Sequence, residues 1–380
     1  MSCWPCAPLG ELIEQDKSYV DQLEDRSYKR LSVKLYGKGA VLDAPSEGAL
    51  VKMSKHQLAM PGQIVVSEIW AKKGAIGVVP SEGEGALITT HFYLFDIVSE
   101  RLHDGWMRWL VRANYFEPQL AGDARGTTGY ASVRPRHFLS ATIPLPPLDE
   151  QRQIVERLDG AAARVEARRQ AAAEVERELA ATLRAAFARI IADAPHARMG
   201  DIAPLVRRPV TIDPDAIYPE LGVRSFGRGL FAKPNVTGSE LTWQSLFRIE
   251  EGDLVFSNIK AWEGAFAVAE AEHHGKHGSH RYLTCVPDAA RATPGFLHHY
   301  LQSEEGLDQI GRASPGSADR NRTFAQKRME AITIPIPPLD AQRWFDSLQD
   351  RARAARAAQT EAATHLDRLL PAMLHEAFGE

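Results

Sequence analysis

Two loops combine the residue types that contact nucleic acid. The first spans residues 122–137 and the second spans residues 311–328, and both mix Gly, Ser and Thr with Arg. Backbone N–H and guanidinium groups in such loops can approach phosphates closely. Side chains that differ between the loops could then read different bases, Arg pairing with guanine and Asn with adenine. The candidate contact residues are Arg125, Thr127, Thr128, Arg134 and Arg136 in the first loop, and Arg312, Ser317, Arg320, Asn321, Arg322, Lys327 and Arg328 in the second. The alternative is that each is a solvated surface loop.

Two further segments place an aromatic residue before a Gly–basic–Gly run. These are Tyr36-Gly-Lys38-Gly and Phe226-Gly-Arg228-Gly. Because Gly permits a tight turn, such a segment can present a cation to the DNA backbone. The alternative is a structural turn whose cation is incidental. Cations close to these segments, or in a third matched segment, are also candidate DNA contacts: Lys34, Lys72, Lys73, Arg224 and Lys260.

Two clusters resemble metal or redox sites. Cys3 and Cys6 form a Cys-x-x-Cys pair, but no strand precedes it and only Cys285 remains to complete a zinc site. Four histidines lie within 273–280, where two glycines indicate a flexible loop. We therefore expect no metal site, and an enzyme with an unrecognised active site has only these two clusters in its support.

Motifs of the common enzyme classes are absent. Pro-Pro occurs only between apolar residues, without the amide and aromatic residues that an adenine methyltransferase uses to hold a flipped base. The sequence contains no Gly-x-x-x-x-Gly-Lys-Ser/Thr phosphate loop and no Gly-x-Ser-x-Gly nucleophile turn. These absences favour a protein that reads or binds over one that catalyses.

The chain repeats itself at an offset of 190–191 residues. Ile-Pro-Leu-Pro-Pro-Leu-Asp-Glu-Gln-Arg at 143–152 returns as Ile-Pro-Ile-Pro-Pro-Leu-Asp-Ala-Gln-Arg at 334–343. Gly-Gln-Ile-Val-Val-Ser at 62–67 likewise matches Gly-Asp-Leu-Val-Phe-Ser at 252–257. A repeat of this length is a domain plus a linking element, and not a short solenoid unit. The sequence therefore predicts two similar domains.

The first part of each copy is mixed in secondary structure. Short β-rich runs at 63–70, 86–95 and 253–259 lie between Gly, Pro and Asp residues. Helical patterns follow at 104–115 and 293–303. The fold class is α/β or α+β, with a pseudo-twofold internal repeat.

The second part of each copy predicts a long helix. Residues 149–192 contain no Pro and a single Gly, and their apolar positions recur at spacings of three, four or seven residues. This pattern is typical of a coiled coil, here a rod of roughly 60 Å. Asp149 and Asp340 are predicted N-caps, and Pro371 is expected to kink or interrupt the second helix.

The two helices are expected to pack antiparallel on each other, with the domains at opposite ends. The alternative is that each helix packs on its own domain. The predicted divisions are globular domains at 1–148 and 194–338, a central helix at 149–193 and a C-terminal helix at 339–380.

Composition limits the mode of DNA binding. The chain of 380 residues is long enough for two domains. Its formal net charge of −4 excludes a protein that binds DNA by bulk charge alone. We expect a cytoplasmic protein, because no apolar run is long enough to cross a bilayer, no secretion signal is evident and three cysteines argue against a disulfide framework.

With both motifs placed, the chain resembles the specificity subunit of type I restriction–modification systems. The Ile-Pro-Leu-Pro-Pro-Leu-x-Glu-Gln motif followed by a long helix is the family's most recognisable feature, and it occurs twice here. In the second copy Ala341 stands where Glu is usual. The resemblance covers the whole chain in the family's order of recognition domain, helix, recognition domain, helix.

The resemblance implies a non-catalytic, DNA-reading subunit. Each domain would read one half of a bipartite, asymmetric target in double-stranded DNA. The helices would set the gap between the halves and dock two methyltransferase subunits, and restriction subunits would complete the complex. S-adenosylmethionine, ATP and Mg²⁺ would be bound by those partners, and no cofactor by this chain. Candidate docking residues are Leu148, Gln151, Leu158, Leu179, Leu339, Gln342, Leu348 and Leu366.

A second interpretation retains the role of the helices but not the recognition of DNA. The chain would then be a pseudo-dimeric adaptor of a defence system, holding proteins together without reading sequence. DNA binding that depends on both salt and sequence separates the two interpretations.

Overall fold

The computed structural model describes residues 4–20, 22–48, 55–121, 132–241, 245–316 and 322–378. The chain divides into two compact units, Met1–Ala172 with Thr360–Glu380, and Ala173–Gln359. Each unit combines a mixed α/β part with segments of two long helices. The predicted fold class, two similar mixed domains with two long helices, is confirmed.

The first unit is built around two four-stranded sheets. Its strands are β1 (Cys6–Pro8), β2 (Ile13–Asp16), β3 (Ser27–Lys34), β4 (Gly39–Glu47), β5 (Gln57–Ala59), β6 (Ile64–Ser67), β7 (Ile76–Val78), β8 (Ala86–Ile88), β9 (Phe92–Ile97) and β10 (Thr142–Pro144). Its helices are α1 (Asp104–Arg112), α2 (Glu117–Ala121), α3 (Pro135–Leu139), the first part of α4 (Leu148–Ile191) and the last part of α9 (Leu339–Phe378). The sheets have the strand orders β2-β9-β6-β7 and β4-β3-β8-β5. The β6 strand is buried along its whole length, as its unbroken run of Ile and Val predicts.

One predicted β-rich run of the first unit contains two strands. The apolar run at 86–95 forms two strands, β8 and β9, separated by a turn in which Phe92 N–H donates to the Thr89 carbonyl at 3.1 Å. The β8 strand pairs with β5 and β3, whereas β9 pairs with β2 and β6. The chain turns here because the two strands belong to different sheets.

The second unit repeats this plan with shorter sheets. Its strands are β11 (His196–Arg198), β12 (Ile217–Tyr218), β13 (Leu221–Val223), β14 (Leu230–Ala232), β15 (Val236–Thr237), β16 (Leu246–Arg248), β17 (Leu254–Ser257), β18 (Phe266–Val268), β19 (His277–Ser279), β20 (Tyr282–Cys285) and β21 (Thr333–Pro335). Its helices are the last part of α4, α5 (Met199–Ile202), α6 (Pro294–Gln302), α7 (Glu304–Ala313), α8 (Gln326–Glu330) and the first part of α9 (Leu339–Phe378). The largest of its sheets has the order β18-β17-β20, and β17 occupies the same buried central place as β6.

The Pro-rich motifs lead from a short strand into each long helix. Ile143 in β10 pairs with β1 and Ile334 in β21 pairs with β11, and both isoleucine side chains are buried. The helices then begin at Leu148 and Leu339, because the carbonyls of Pro147 and Pro338 accept the first helical hydrogen bonds.

The N-cap expectation is wrong, and so is an interruption of the second helix at Pro371, whereas a kink at Pro371 stays a prediction. Asp149 and Asp340 lie inside the first helical turn and are therefore not N-caps, although an acidic residue there still interacts favourably with the helix dipole. Pro371 does not interrupt α9, which continues to Phe378. The neighbouring Met373 and Leu374 pack on the core of the first unit, and this packing offsets the hydrogen bond that Pro cannot donate.

The long helices run antiparallel within each unit. In the first unit Arg169 bonds to Asp367, while Arg157, earlier in α4, faces Glu376, later in α9. They also pack on the globular part, since Val155 and Leu158 belong to its buried core.

The second unit shows the same combination. Arg356 of α9 donates to Glu176 of α4 at 2.7 Å, and Phe187 of α4 lies 5.3 Å from Phe345 of α9 between ring centroids. The two packing modes that the sequence left as alternatives therefore occur together. Among the helices of the described ranges, none has an apolar stretch long enough to span a membrane.

Candidate nucleic-acid interface

Each unit displays an aromatic side chain at the tip of a β-hairpin. In the first unit β3 and β4 are joined through Tyr36 and Gly37, whose φ angles are 59° and 68°. In the second unit β13 and β14 are joined through Phe226 and Gly227, with φ angles of 62° and 65°. Two successive residues with positive φ are what a type I′ hairpin turn requires, and Asn-Gly is its preferred sequence. Here residues 36–39 and 226–229, called the aromatic turns below, carry a large ring instead.

A second turn holds the aromatic turn of the first unit. Tyr36 N–H donates to the Lys73 carbonyl at 2.7 Å, and Gly37 N–H donates to the Gly74 carbonyl at 3.1 Å. A Cβ atom on residue 37 would lie 2.4 Å from the Val111 carbonyl oxygen, and one on residue 74 would lie 2.9 Å from the nitrogen of Gly37. Glycine at 74 therefore allows the two turns to approach so closely, and glycine at 37 allows the aromatic turn to lie against α1.

The second unit reproduces these bonds. Phe226 N–H donates to the Glu263 carbonyl at 2.8 Å, and Gly227 N–H donates to the Gly264 carbonyl at 3.1 Å. The supporting segments are single 3₁₀ turns, Ala71–Lys73 and Ala261–Glu263. They are called the support turns below.

The Arg-containing loops return beside the support turns. Val133 N–H donates to the Glu68 carbonyl at 2.7 Å, and Phe324 N–H donates to the Asn258 carbonyl at 2.7 Å. Loop, support turn and aromatic turn, which are far apart in sequence, therefore adjoin in each unit. Six predicted contacts lie outside the described residues: Arg125, Thr127, Thr128, Ser317, Arg320 and Asn321.

Cations of the first unit surround this junction. Lys38 is exposed and Lys72 is half-buried, and within the described ranges neither forms an ion pair. Lys73 lies 5.2 Å from the centroid of the Trp70 ring. Lys34, by contrast, faces Asp43 at 3.6 Å, which partly neutralises its charge.

The end of the first loop contributes two exposed arginines, Arg134 and Arg136. The pKa of the nearby Tyr93 hydroxyl is raised by burial and by the Glu68 carboxylate, while the Arg134 guanidinium lowers it. Arg134 therefore acts electrostatically on the same strand end as Glu68.

The support turn of the second unit is closer to neutral. Lys260 donates to Glu263 at 2.6 Å, and this bond lowers the pKa of the Glu263 carboxyl group. Arg224 lies over Phe231 at 4.7 Å and Arg228 lies 5.9 Å from the Phe226 centroid. The first support turn has Lys72 and Lys73 at the positions of Trp262 and Glu263, so it is more positively charged than the second.

Arginines of the second loop mostly organise the loop itself. Arg322 lies 4.4 Å from the Trp262 ring centroid and donates to the Ser314 and Gly311 carbonyls at 3.3 and 3.1 Å. Arg312 pairs with Asp308 at 2.5 Å. The Arg328 guanidinium donates to the Arg312 carbonyl at 3.3 Å, whereas Lys327 is exposed and forms no ion pair with any described residue.

Comparisons with known proteins bear on the fold. No protein-family model and no curated protein matches the sequence. The HsdS subunit from Thermoanaerobacter tengcongensis is 20% identical, and the match covers 100% of this chain and 97% of that one with a TM-score of 0.61. A chain from "Structural basis underlying complex assembly and conformational transition of the type I R-M system" is 21% identical, with coverages of 99% and 97% and a TM-score of 0.64. This chain has the HsdS fold.

Two residues of the repeated motif have an internal role in this HsdS fold. Gln151 is fully buried; its side-chain oxygen accepts from His103 N–H at 2.9 Å, and its amide nitrogen donates to the Arg101 and Pro146 carbonyls at 2.7 and 2.8 Å. This amide fastens the start of α4 to the globular part. The docking prediction requires Gln151 to lie on a surface that a partner can contact, and the buried Gln151 side chain does not.

Gln342 makes the matching bonds in the second unit. Its oxygen accepts from Thr293 N–H at 2.9 Å, and its nitrogen donates to the Arg291 and Pro337 carbonyls at 3.0 and 2.8 Å. Leu158 is also buried, at 2% exposure. The other predicted docking residues are all half-buried: Leu148, Leu179, Leu339, Leu348 and Leu366.

The cysteines and histidines have structural surroundings. Cys285 is buried, and burial raises the pKa of its thiol to about 12, so that it stays protonated. Cys6 is exposed, and Cys3 lies outside the described residues. The His273 side chain accepts from Glu270 N–H at 3.0 Å. Among the residues that the structure describes, no group of three potential ligands is placed to hold a metal ion.

Sequence reasoning missed Glu68 and Asn258. They follow the aligned strands β6 and β17 at matched positions and accept the loop hydrogen bond through their carbonyls. The Asn258 side-chain oxygen is buried, with no hydrogen-bond partner among the described residues. The sequence does contain a signal: at the aligned position directly after the repeated strand, one copy has Glu68 and the other has Asn258.

Proposed function

We propose that this chain is the DNA-recognition subunit of a type I restriction–modification complex. It would read the two halves of a bipartite, asymmetric target and dock methyltransferase and restriction subunits, without catalysing a reaction itself. The HsdS fold supports this proposal. The observation that carries it is the junction of loop, support turn and aromatic turn, which recurs in both units with the same backbone hydrogen bonds.

A constant backbone with changed side chains suits two readers of different sequences. Lys72 and Lys73 of the first support turn correspond to Trp262 and Glu263 of the second. Phosphate contacts position a protein on DNA, whereas differing side chains at base edges specify sequence. We assign the first role to the exposed lysines and arginines, and the second to the variable positions of the loops and support turns.

Binding strength should depend on partner subunits. The net charge is −4, and several candidate cations, including Lys34, Lys260 and Arg312, are paired with carboxylates. Each phosphate contact changes the slope of log affinity against log salt by about 0.9. Because several of the candidate cations are already paired, the sequence-independent attraction to DNA at these sites is reduced.

Partners would supply the remaining chemistry. Methyltransferase subunits would bring S-adenosylmethionine, and restriction subunits would bring ATP and Mg²⁺. Because Gln151 and Gln342 are buried, we place partner docking on the exposed and half-buried helix positions. In the second unit these include Val175 and Leu179 of α4, and in the first unit Leu366 and Leu369 of α9.

The test is to co-express the chain with its methyltransferase subunit and map N6-methyladenine across the host genome. We expect methylation at one bipartite motif, which disappears when this chain is deleted. As a matched control, replacing residues 194–338 with another recognition domain should change only one half of the motif. A complex that assembles but methylates no motif would support the adaptor instead and would refute DNA reading.

A further inference from the structure

We infer that Tyr36 and Phe226 each insert an aromatic ring against a base step of duplex DNA. The inference rests on the proposed function and deepens it. It identifies, in each unit, the side chain that makes the apolar contact with DNA, and it separates that contact from those of the neighbouring cations.

The backbone at these residues argues against a purely structural origin. Both have φ near +60°, a region that L residues other than Asn, Asp and Gly rarely adopt. Asn would satisfy the same hairpin turn with less strain. An unfavourable conformation present at matched positions of both copies points to a role for the side chain itself.

Packing within the chain does not explain the rings. Tyr36 is 60% exposed and Phe226 is 72% exposed, so neither ring completes a core. The hydrogen bonds that hold the turns are made by backbone N–H groups, which any residue except Pro would provide. The fold therefore gains little from an aromatic residue here.

The turns present the rings on a rigid base. Each aromatic turn is fixed by two backbone bonds to its support turn, and in the first unit Gly74 allows this close approach. Because the backbone under each ring is already fixed, the turn itself loses little conformational entropy when the ring binds.

The surroundings favour DNA as the occupant. Lys38 and Arg228 follow the rings by two residues, and among the described residues neither forms an ion pair. A ring beside an unpaired cation matches the two components of nucleic acid, because the ring contacts a base and the cation contacts a phosphate. Architectural DNA-binding proteins insert apolar side chains between base pairs in the same manner. Contact with a protein partner is the competing outcome of the test below.

The test uses the full chain in complex with its methyltransferase subunit and a duplex carrying the motif found by methylation mapping. In Tyr36→Asn and Phe226→Asn, Asn suits the positive φ, so we expect an unchanged or higher thermal midpoint. DNA affinity, measured by fluorescence anisotropy, should fall by roughly 5- to 150-fold because a stacking contact is lost. The salt slope should stay constant, whereas Lys38→Gln should lower it by about one.

Two further measurements distinguish the ring's role. Tyr36→Phe should retain the affinity, since it keeps the ring. With 2-aminopurine at the contacted step, fluorescence should rise when the wild-type complex binds and should stay low with the Asn variants.

Three results would overturn the inference. Asn variants with normal affinity and normal 2-aminopurine fluorescence would refute it while leaving DNA reading intact. Variants that lose the methyltransferase subunit but keep DNA affinity would assign the rings to a protein contact. A wild-type complex that binds no motif would remove the proposed function, and this inference with it.

Discussion

Gln151 offers a direct test of whether the repeated motif stabilises the chain or docks a partner. Gln151→Leu keeps a side chain of similar size but removes three hydrogen bonds. It leaves the His103 N–H and the Arg101 and Pro146 carbonyls without their partner.

The expected loss follows from this inventory. Each buried group left without a partner costs about 1–3 kcal/mol, and two of the three bonds are only partly buried. We therefore expect the free energy of unfolding to fall by about 3 kcal/mol. This is a large share of the roughly 5–15 kcal/mol that stabilises a typical domain.

The assay is urea denaturation followed by circular dichroism. Gln153→Leu is the matched control, because Gln153 is exposed on the same turn of α4 and its change should stay within about 0.5 kcal/mol. Gln342→Leu should repeat the loss in the second unit. If Gln151→Leu unfolds like the wild type and instead loses the methyltransferase subunit, then the reasoning from burial is wrong and the glutamine is a docking residue.

Three other outcomes are expected. Burial lowers the pKa of His298 to about 4, so its side chain is neutral in the folded chain. The free energy of unfolding should therefore fall as the pH drops from about 6.5 to 4, because the unfolded chain binds the proton more readily. In acid titrations His298→Phe should flatten this dependence. Gly37→Ala, whose Cβ would meet a carbonyl at 2.4 Å, should lower the thermal midpoint more than Gly39→Ala, which has open space; equal effects would contradict the close approach. Lys327→Gln should reduce the salt slope of DNA binding by about one, whereas Arg312→Gln should reduce it less, because Arg312 is already paired with Asp308. A larger change in slope for Arg312→Gln than for Lys327→Gln would show that the Arg312–Asp308 pair opens when DNA binds.

Local patterns predict the long helices well. Their Ala-, Glu-, Arg- and Leu-rich composition is a property of neighbouring residues, and the predicted starts at 149 and 339 lie within one residue of Leu148 and Leu339. The split of 86–95 into two strands is not predictable in this way. It depends on which distant strand each half pairs with, and that information is not local.

The candidate interface is predictable only in pieces. Glycines indicate the turn after Tyr36, and Arg-rich composition indicates the loops. That loop, support turn and aromatic turn adjoin depends on backbone hydrogen bonds between segments separated by tens of residues. The sequence alone suggests a surface position for Gln151, because charged residues stand on both sides of it, yet its side chain is buried.

The last part of α9 belongs to the first unit, and this determines which unit can be completed first during translation. The core of the first unit includes Phe378, whose ring centroid lies 4.8 Å from that of Trp106, together with Leu370, Met373 and Leu374. A ribosome makes Trp106 long before these residues, at about 5–20 residues per second. All residues of the second unit, Ala173–Gln359, are made before the last segment of the first unit. The half of the protein that is translated first is therefore completed last, and until then its apolar surface is a natural target for chaperones.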